Sequence, residues 1–282
     1  MEASSEKLPR IRDSIRCTFI IAHREDTGPL EKALAAEGLQ SVTQRLSLSD
    51  EEKQFSAVIR CLLNHRRAWE QVSQMTGLSL VIEADFVPCR GFGNFAVPIP
   101  SSEVYRAVAW LYLCAGRFSK RVEGQFFVGR SNSTVAYIVS PSAARCLLAL
   151  AEQTLAKVDP RKYFPWDSNI WEFLRENGIP MFVPLKNYGE HGGFFSPEHR
   201  QEGRKLIPHR AECLMGPLYF LPDYARGRRS RFIGVRCFHK LKALAKLVCG
   251  RTVTRAALLE LRSSRERFDL VASGLARLIS LY

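Results

Sequence analysis

The chain has 282 residues, 46% of them hydrophobic, which fits one large domain with a sizeable core and an appendage better than two equal domains. Residues 1–16 are charged and no uncharged apolar run approaches the length of a membrane helix, so neither a signal peptide nor a spanning segment is expected. The net charge is +13, and ten of those charges fall in residues 223–282, so a basic tail is available to anionic phospholipid, nucleic acid or an acidic partner. The eight cysteines, scattered without CxxC spacing, are read as reduced thiols of a cytosolic protein, with no zinc expected.

Taken in order, Arg16 to Ala22 is an apolar run with the character of a buried strand, and His23-Arg24-Glu25-Asp26 begins the loop after it. In an α/β sheet such a loop faces ligand, which makes His23 and Arg24 candidates for contact with a nucleotide base or phosphate; the alternative is a solvated loop. Leu30 to Glu37 has helical spacing and ends at Gly38, a C-cap, before a second strand within Leu39 to Leu46. Ser49 with Glu51 and Glu52 predicts an N-cap and first turn of a six-turn helix carrying Phe55, Val58, Ile59, Leu62, Leu63, Ala68, Trp69 and Val72. Asn64 and His65 lie within it.

Leu78 to Pro88 is the most informative stretch. Its apolar run predicts a strand buried on both faces, ending in Glu83 and Asp85, which share a side because side chains alternate along a strand. Two carboxylates beyond the carboxyl edge of a sheet suit Mg²⁺ or Mn²⁺ carrying a diphosphate; the alternative is a solvated turn. Cys89 to Asn94 reads as a loop, and Ala107 to Cys114 as a strand in preference to a helix. Val122 to Arg130 reads as a Gly-punctuated substrate-side loop, followed by a strand over Thr134 to Ser140 and a helix opened by Pro141. Asp167 precedes a helix from Ile170 to Glu176, where it can serve as the cap. After a strand over Ile179 to Val183, Asn187 to Gly193 has three glycines around Glu190 and His191, a composition suited to a site loop; Glu198 and His199 are weaker candidates. Beyond Tyr224, Leu241, Leu244, Leu247 and Val248 share one helix face with Lys242 and Lys246 opposite, and a last helix over Arg255 to Tyr282 is expected to break at Gly274. The expected architecture is an α/β fold with a mixed central sheet flanked by helices over residues 1–222 and a basic helical segment over 223–282.

The order of these motifs, Asn64-His65-x-x-Ala68-Trp69, then Glu83-Ala84-Asp85, then the block from Ala136 to Leu148, then Pro165-Trp166-Asp167, resembles glycosyltransferase family 25, the bacterial lipopolysaccharide and lipooligosaccharide glycosyltransferases. The likeness covers about residues 18–193. It implies a GT-A fold that holds a nucleotide-sugar on a divalent cation and transfers the sugar with inversion to a glycan or lipid-linked acceptor, at the cytoplasmic face of the membrane. Ala84 stands where the family usually has a second acid of three, and Asn64 where it usually has serine. A UDP-sugar is the first choice of donor, with Mn²⁺ or Mg²⁺ as cofactor.

In this reading Asp85 coordinates the metal directly, Glu83 holds a metal-bound water or the donor ribose, and a neutral His191 completes the coordination sphere. Asn64 and His65 join His23 and Arg24 on the donor side. Asp167, matching the family's Pro-x-Asp acid, is the candidate base, with Glu190 second. Ala84 motivates an alternative, a degenerate transferase acting as a carbohydrate- or partner-binding module. Nucleic-acid binding through the tail ranks last, because no zinc-finger spacing or aromatic RNA-recognition motif is present.

Overall fold

The computed structural model describes residues 8–113, 116–122, 126–193, 209–250, 253, 258–259, 261 and 263–279. Cys114, Glu198 and His199 lie outside the described residues. The apolar runs become the middle of an eight-stranded mixed sheet, because strands rich in Ile, Val and Leu on both faces need cover on both sides. β1 (Ile15–Ala22) runs parallel to β2 (Ser41–Arg45) on one side and to β3 (Leu78–Glu83) on the other. β8 (Ala136–Val139) then pairs antiparallel with both β3 and β5 (Val108–Trp110). Outside these lie β9 (Met181–Pro184), β7 (Phe126–Arg130) and β6 (Arg117–Arg121), giving the order β2-β1-β3-β8-β5-β9-β7-β6. The architecture is an α/β fold with a mixed central sheet flanked by helices, as expected.

Alternate strand residues enter different cores. Phe19, Ile21, Val81 and Tyr137 pack with Leu62 and Trp69 of α3 (Ala57–Ser73), with Leu147 of α4 (Pro141–Lys157) and with Leu174 of α5 (Ile170–Glu176). Ile20, Leu80, Ile82 and Ile138 pack on the opposite face with Ile11 of the short α1 (Ile11–Ser14) and with Leu30 and Leu34 of α2 (Gly28–Ala36). Helices therefore cover both faces. A separate two-stranded ribbon, β4 (Phe86–Pro88) with β10 (Gly189–His191), continues the chain directly beyond β3.

Several expectations need correction. Ser49 caps only a single 3₁₀ turn (Glu52–Gln54), exchanging bonds with Glu52 as in a capping box, and α3 begins after Ser56, whose Oγ accepts from the Ile59 amide at 3.4 Å. Phe126 to Arg130 is strand rather than loop: Phe126 and Phe127 are buried and its backbone pairs with β6 and β9. Residues 189–191 likewise form β10. Gly274 does not interrupt the last helix; a Cβ there would lie 3.0 Å from Leu247, so the glycine permits close helix packing.

The tail forms α6 (Arg229–Val248) and α7 (Ser264–Ile279), and α6 is turned opposite to the simple amphipathic expectation. Arg236, His239 and Ala243 are buried, whereas Leu241, Leu244 and Val248 are 68%, 47% and 80% exposed. Ion pairs account for the inversion: Arg236 meets Glu190 at 3.2 Å, Lys246 meets Glu212, and Arg277 of α7 meets Glu212 at 3.5 Å. No helix among the described residues is long and apolar enough to cross a membrane.

Burial, with Lys242, Arg210 and Arg236 nearby and only Glu212 opposing them, lowers the His239 pKa to about 4. The unfolded chain therefore binds this proton more readily, and the contribution to stability is full above the ordinary value near 6.5 and lost as pH falls toward 4. Thermal unfolding of the native chain and of His239→Gln should differ in pH slope across that window, with the steeper loss toward acid in the native chain.

Candidate functional site

Parallel strands β2, β1 and β3 present their carboxyl ends together, and the chain leaves β1 for α2 on one face and reaches β3 from α3 on the other. That is a topological switch point, where open α/β sheets form ligand crevices. A cavity of about 420 Å³ occupies it, with Ala22 at the end of β1 and His23 after it, Leu46 after β2, and Glu83, Ala84 and Asp85 at the end of β3 among its walls.

Glu83 is fixed from behind. Its Oε1 accepts from Thr134 Oγ1 at 2.6 Å and lies 3.3 Å from His65 Nε2. The Trp69 indole N–H donates to the Tyr137 hydroxyl at 2.6 Å, and that hydroxyl sits 3.0 Å from His65 Nδ1. An indole can only donate, so the tyrosine proton is directed to Nδ1 and the His65 N–H to Glu83. His65 is fully buried and outside the cavity walls, and it orients the acid instead of meeting a ligand.

Asp85 is held from the other side by the ribbon. Pairing of His191 with Phe86 across β10 and β4 brings the imidazole Nε2 to 2.9 Å from Asp85 Oδ2. The backbone is shaped for this approach: the Gly192 amide donates to the Asp85 carbonyl at 2.7 Å, and a Cβ on Gly193 would lie 2.1 Å from Asp85 Oδ2. Arg210 clamps the strand end, donating to the carbonyls of His191 and Gly193, each at 2.6 Å. Burial alone would raise the Asp85 carboxyl, but His191 and Arg210 outweigh it and hold it below its ordinary value. Burial alone would lower His191, but Asp85 outweighs it and the pKa rises to about 8. A pKa of about 8 makes the ring cationic at neutral pH, not the neutral ligand expected from sequence; Nε2 donates to Asp85, and Nδ1 lies 3.3 Å from both the His209 carbonyl and Arg210 Nη1. Asp85 Oδ1 remains buried without a hydrogen-bond partner, which a buried carboxylate oxygen seldom does unless a cation or water is due there.

The remaining predicted residues divide. His23 lines the cavity, exposed, its amide donating to the Glu25 carboxylate at 2.5 Å. Arg24 is exposed and is not a wall residue. Asn64 lines the cavity, yet its side chain ties α3 to the sheet, donating to Ala22 O at 2.9 Å and accepting from Gln44 at 3.1 Å. Asp167 sits partly buried in a 3₁₀ turn (Trp166–Asn169), near Cys61 but not in the cavity wall. Glu190 is fully buried with its carboxylate against Arg236, the Ala211 amide and Tyr224. His191 touches Asp85 but is not itself in the cavity wall; neighbours on a strand face opposite ways, so Glu190 points into the packing under α6 and cannot reach an acceptor hydroxyl.

Sequence reasoning missed Arg60, Cys61 and Asp223, all in the cavity wall. Arg60 and Cys61 lie one turn before Asn64 on the same face of α3, so the helical period held the signal. Asp223 follows an unremarkable Leu-Pro pair. Burial first, and then the charge of Asp85, raise its carboxyl above the ordinary value. Cys61, His65 and Glu83 have potential ligand atoms within 4.8 Å of one another, although both His65 nitrogens are already engaged.

No family model and no curated protein matches the chain. Among solved structures it is similar to a glycosyltransferase involved in the glycosylation of the major capsid of PBCV-1, at 13% identity and a TM-score of 0.38, over 68% of this chain and 100% of that one. At that score the sheet order, not the likeness, defines the architecture.

Two outcomes check the geometry. Asp85→Asn removes the charge that raises His191, so the imidazole pKa measured by NMR titration should fall from about 8. In Gly193→Ala the new methyl, 2.1 Å from Asp85 Oδ2, would displace the carboxylate from His191, and the same titration should show the imidazole pKa falling.

Proposed function

We propose that the chain is a metal-dependent glycosyltransferase that moves a sugar from a nucleotide-sugar, a UDP-sugar first, to a hydroxyl of a glycan or lipid-linked acceptor. The observation that carries this reading is the buried, unpartnered Oδ1 of Asp85 in the wall of the switch-point cavity. Hard oxygen ligands suit Mn²⁺ or Mg²⁺, so the residues fit such a cation, with Asp85 as principal ligand and Glu83 beside it, while the cationic His191 holds the second Asp85 oxygen instead of serving as a ligand. When bound, the cation would neutralise charge developing on the departing diphosphate.

The chain's own residues supply the rest. Arg60 offers a cation to the phosphates, and His23 at the end of β1 faces the donor side. His65 and Thr134 keep Glu83 in one orientation, ready to receive the ribose or a water. For the proton leaving the acceptor hydroxyl, Asp223 replaces Asp167 and Glu190 as candidate base. It lies in the cavity, and its raised pKa brings it nearer to the value a general base needs. Attack from the face opposite the leaving diphosphate gives inversion. The basic tail, with Arg228, Arg229 and Arg231 exposed at the start of α6, would place the enzyme peripherally on an anionic membrane surface.

Mn²⁺ should support hydrolysis or transfer of at least one UDP- or GDP-sugar, with activity lost in Asp85→Ala. In Asp223→Asn, kcat should fall by about 10²–10⁴ with donor KM little changed, the usual contribution of a general base. Absence of turnover and of metal-dependent binding across a broad nucleotide-sugar panel would count against the enzyme. Metal-independent glycan binding without turnover would favour the binding-module alternative, which Ala84 and the burial of Glu190 motivate.

A further inference from the structure

A second cavity, about 620 Å³ in volume, lies outside the crevice between α6 and residues 214–221. Its walls are of two kinds. Leu218, Phe220, Leu221, Phe232 and Ile233 make an apolar trough, and Arg90, Arg229, Arg236 and Lys240 surround it with positive charge. No Asp or Glu belongs to the walls among the described residues. A cavity for a neutral apolar ligand would not need four cations, and a surface for polyanions would not need the trough.

Two observations point to an anion. Arg236 is 93% buried, being only 7% exposed, and although its Nη1 is engaged by Glu190, its Nη2 is buried without a hydrogen-bond partner. A guanidinium nitrogen buried without a partner is destabilising unless something accepts from it. In addition, Arg228 and Arg229 stand at the N-terminus of α6, where the helix dipole already places positive potential and further cations are unfavourable without an anion between them.

We infer that this cavity binds an anionic amphiphile, a phosphate carrying an aliphatic chain, with the phosphate on Arg229 and Arg236 and the chain along Phe220, Phe232 and Ile233. The site stands apart from the crevice and does not depend on the transferase reading. A phospholipid of a bilayer and a lipid-linked phosphate share this chemistry.

The test uses the full chain with n-octyl phosphate below its micelle concentration, inorganic phosphate as control, and vesicles of phosphatidylglycerol or of phosphatidylcholine alone. Octyl phosphate should raise Tm with the logarithm of its concentration, while inorganic phosphate at equal concentration should not. Arg229→Gln and Ile233→Glu alter exposed side chains, at positions where the native fold should persist by circular dichroism. Each should weaken octyl phosphate binding about tenfold, by removing a charged contact or by placing a charge in the trough. Binding to phosphatidylglycerol vesicles that octyl phosphate reverses assigns the amphiphile to a bilayer; octyl phosphate binding without vesicle association assigns it to a lipid phosphate taken from solution. Equal shifts with inorganic and octyl phosphate, or unchanged affinity in both variants, would overturn the inference.

Discussion

One carboxylate, Asp85, sets the terms for the surrounding structure. It stands where a fully buried strand ends, with one oxygen given to His191 and the other left unpartnered in the crevice wall. Keeping a charge there requires compensating cations and a backbone that can approach it closely. Arg210 and His191 provide the charge, and the glycines at 192 and 193 provide the approach. Replacing either glycine would push side-chain atoms into the acid or its backbone, so the glycine-rich composition of this segment follows from the acid's position.

The ribbon that delivers His191 also ties the crevice to the C-terminal helices. Alternation along β10 sends His191 toward Asp85 and Glu190 toward Arg236 of α6. Removing one partner of a buried pair such as Glu190 and Arg236 costs on the order of 3–5 kcal/mol, because the other charge is then stranded. The tail is thus a fixed part of the body and not a loosely attached basic segment. Its orientation follows from electrostatics: the face carrying Arg236 and Lys246 turns inward to meet Glu190 and Glu212, and Leu241, Leu244 and Val248 are left outside while Leu247 packs against the core. Just before α6, Asp223 lines the crevice and Tyr224 packs beneath Arg210.

What could be read from sequence was whatever depends on local pattern. β1, β3 and β8 were visible as uninterrupted apolar runs, Gly38 as a helix stop with φ of +79°, and Glu83 and Asp85 as two acids on one side of a strand end. The meeting of His191 with that strand end was expected from composition and arises through ribbon pairing. What escaped was set by distant partners. β7 alternates weakly and is a strand because β6 and β9 flank it. The burial of Glu190 depends on an arginine 46 residues away, and the inward face of α6 on acids outside its own sequence. Ser49 illustrates a local competition: its capping signal is real but is used by a single turn before Ser56 starts the long helix.

The most direct test of the account is a Mn²⁺ titration of the full chain followed by electron paramagnetic resonance, with and without UDP. The account predicts that the free-Mn²⁺ signal is quenched at one ion per chain when UDP is present, and that Asp85→Asn, with its fold intact, leaves the signal free. Equal quenching in Asp85→Asn, or no quenching by the native chain at millimolar UDP, would contradict a diphosphate-bearing cation site at the end of β3.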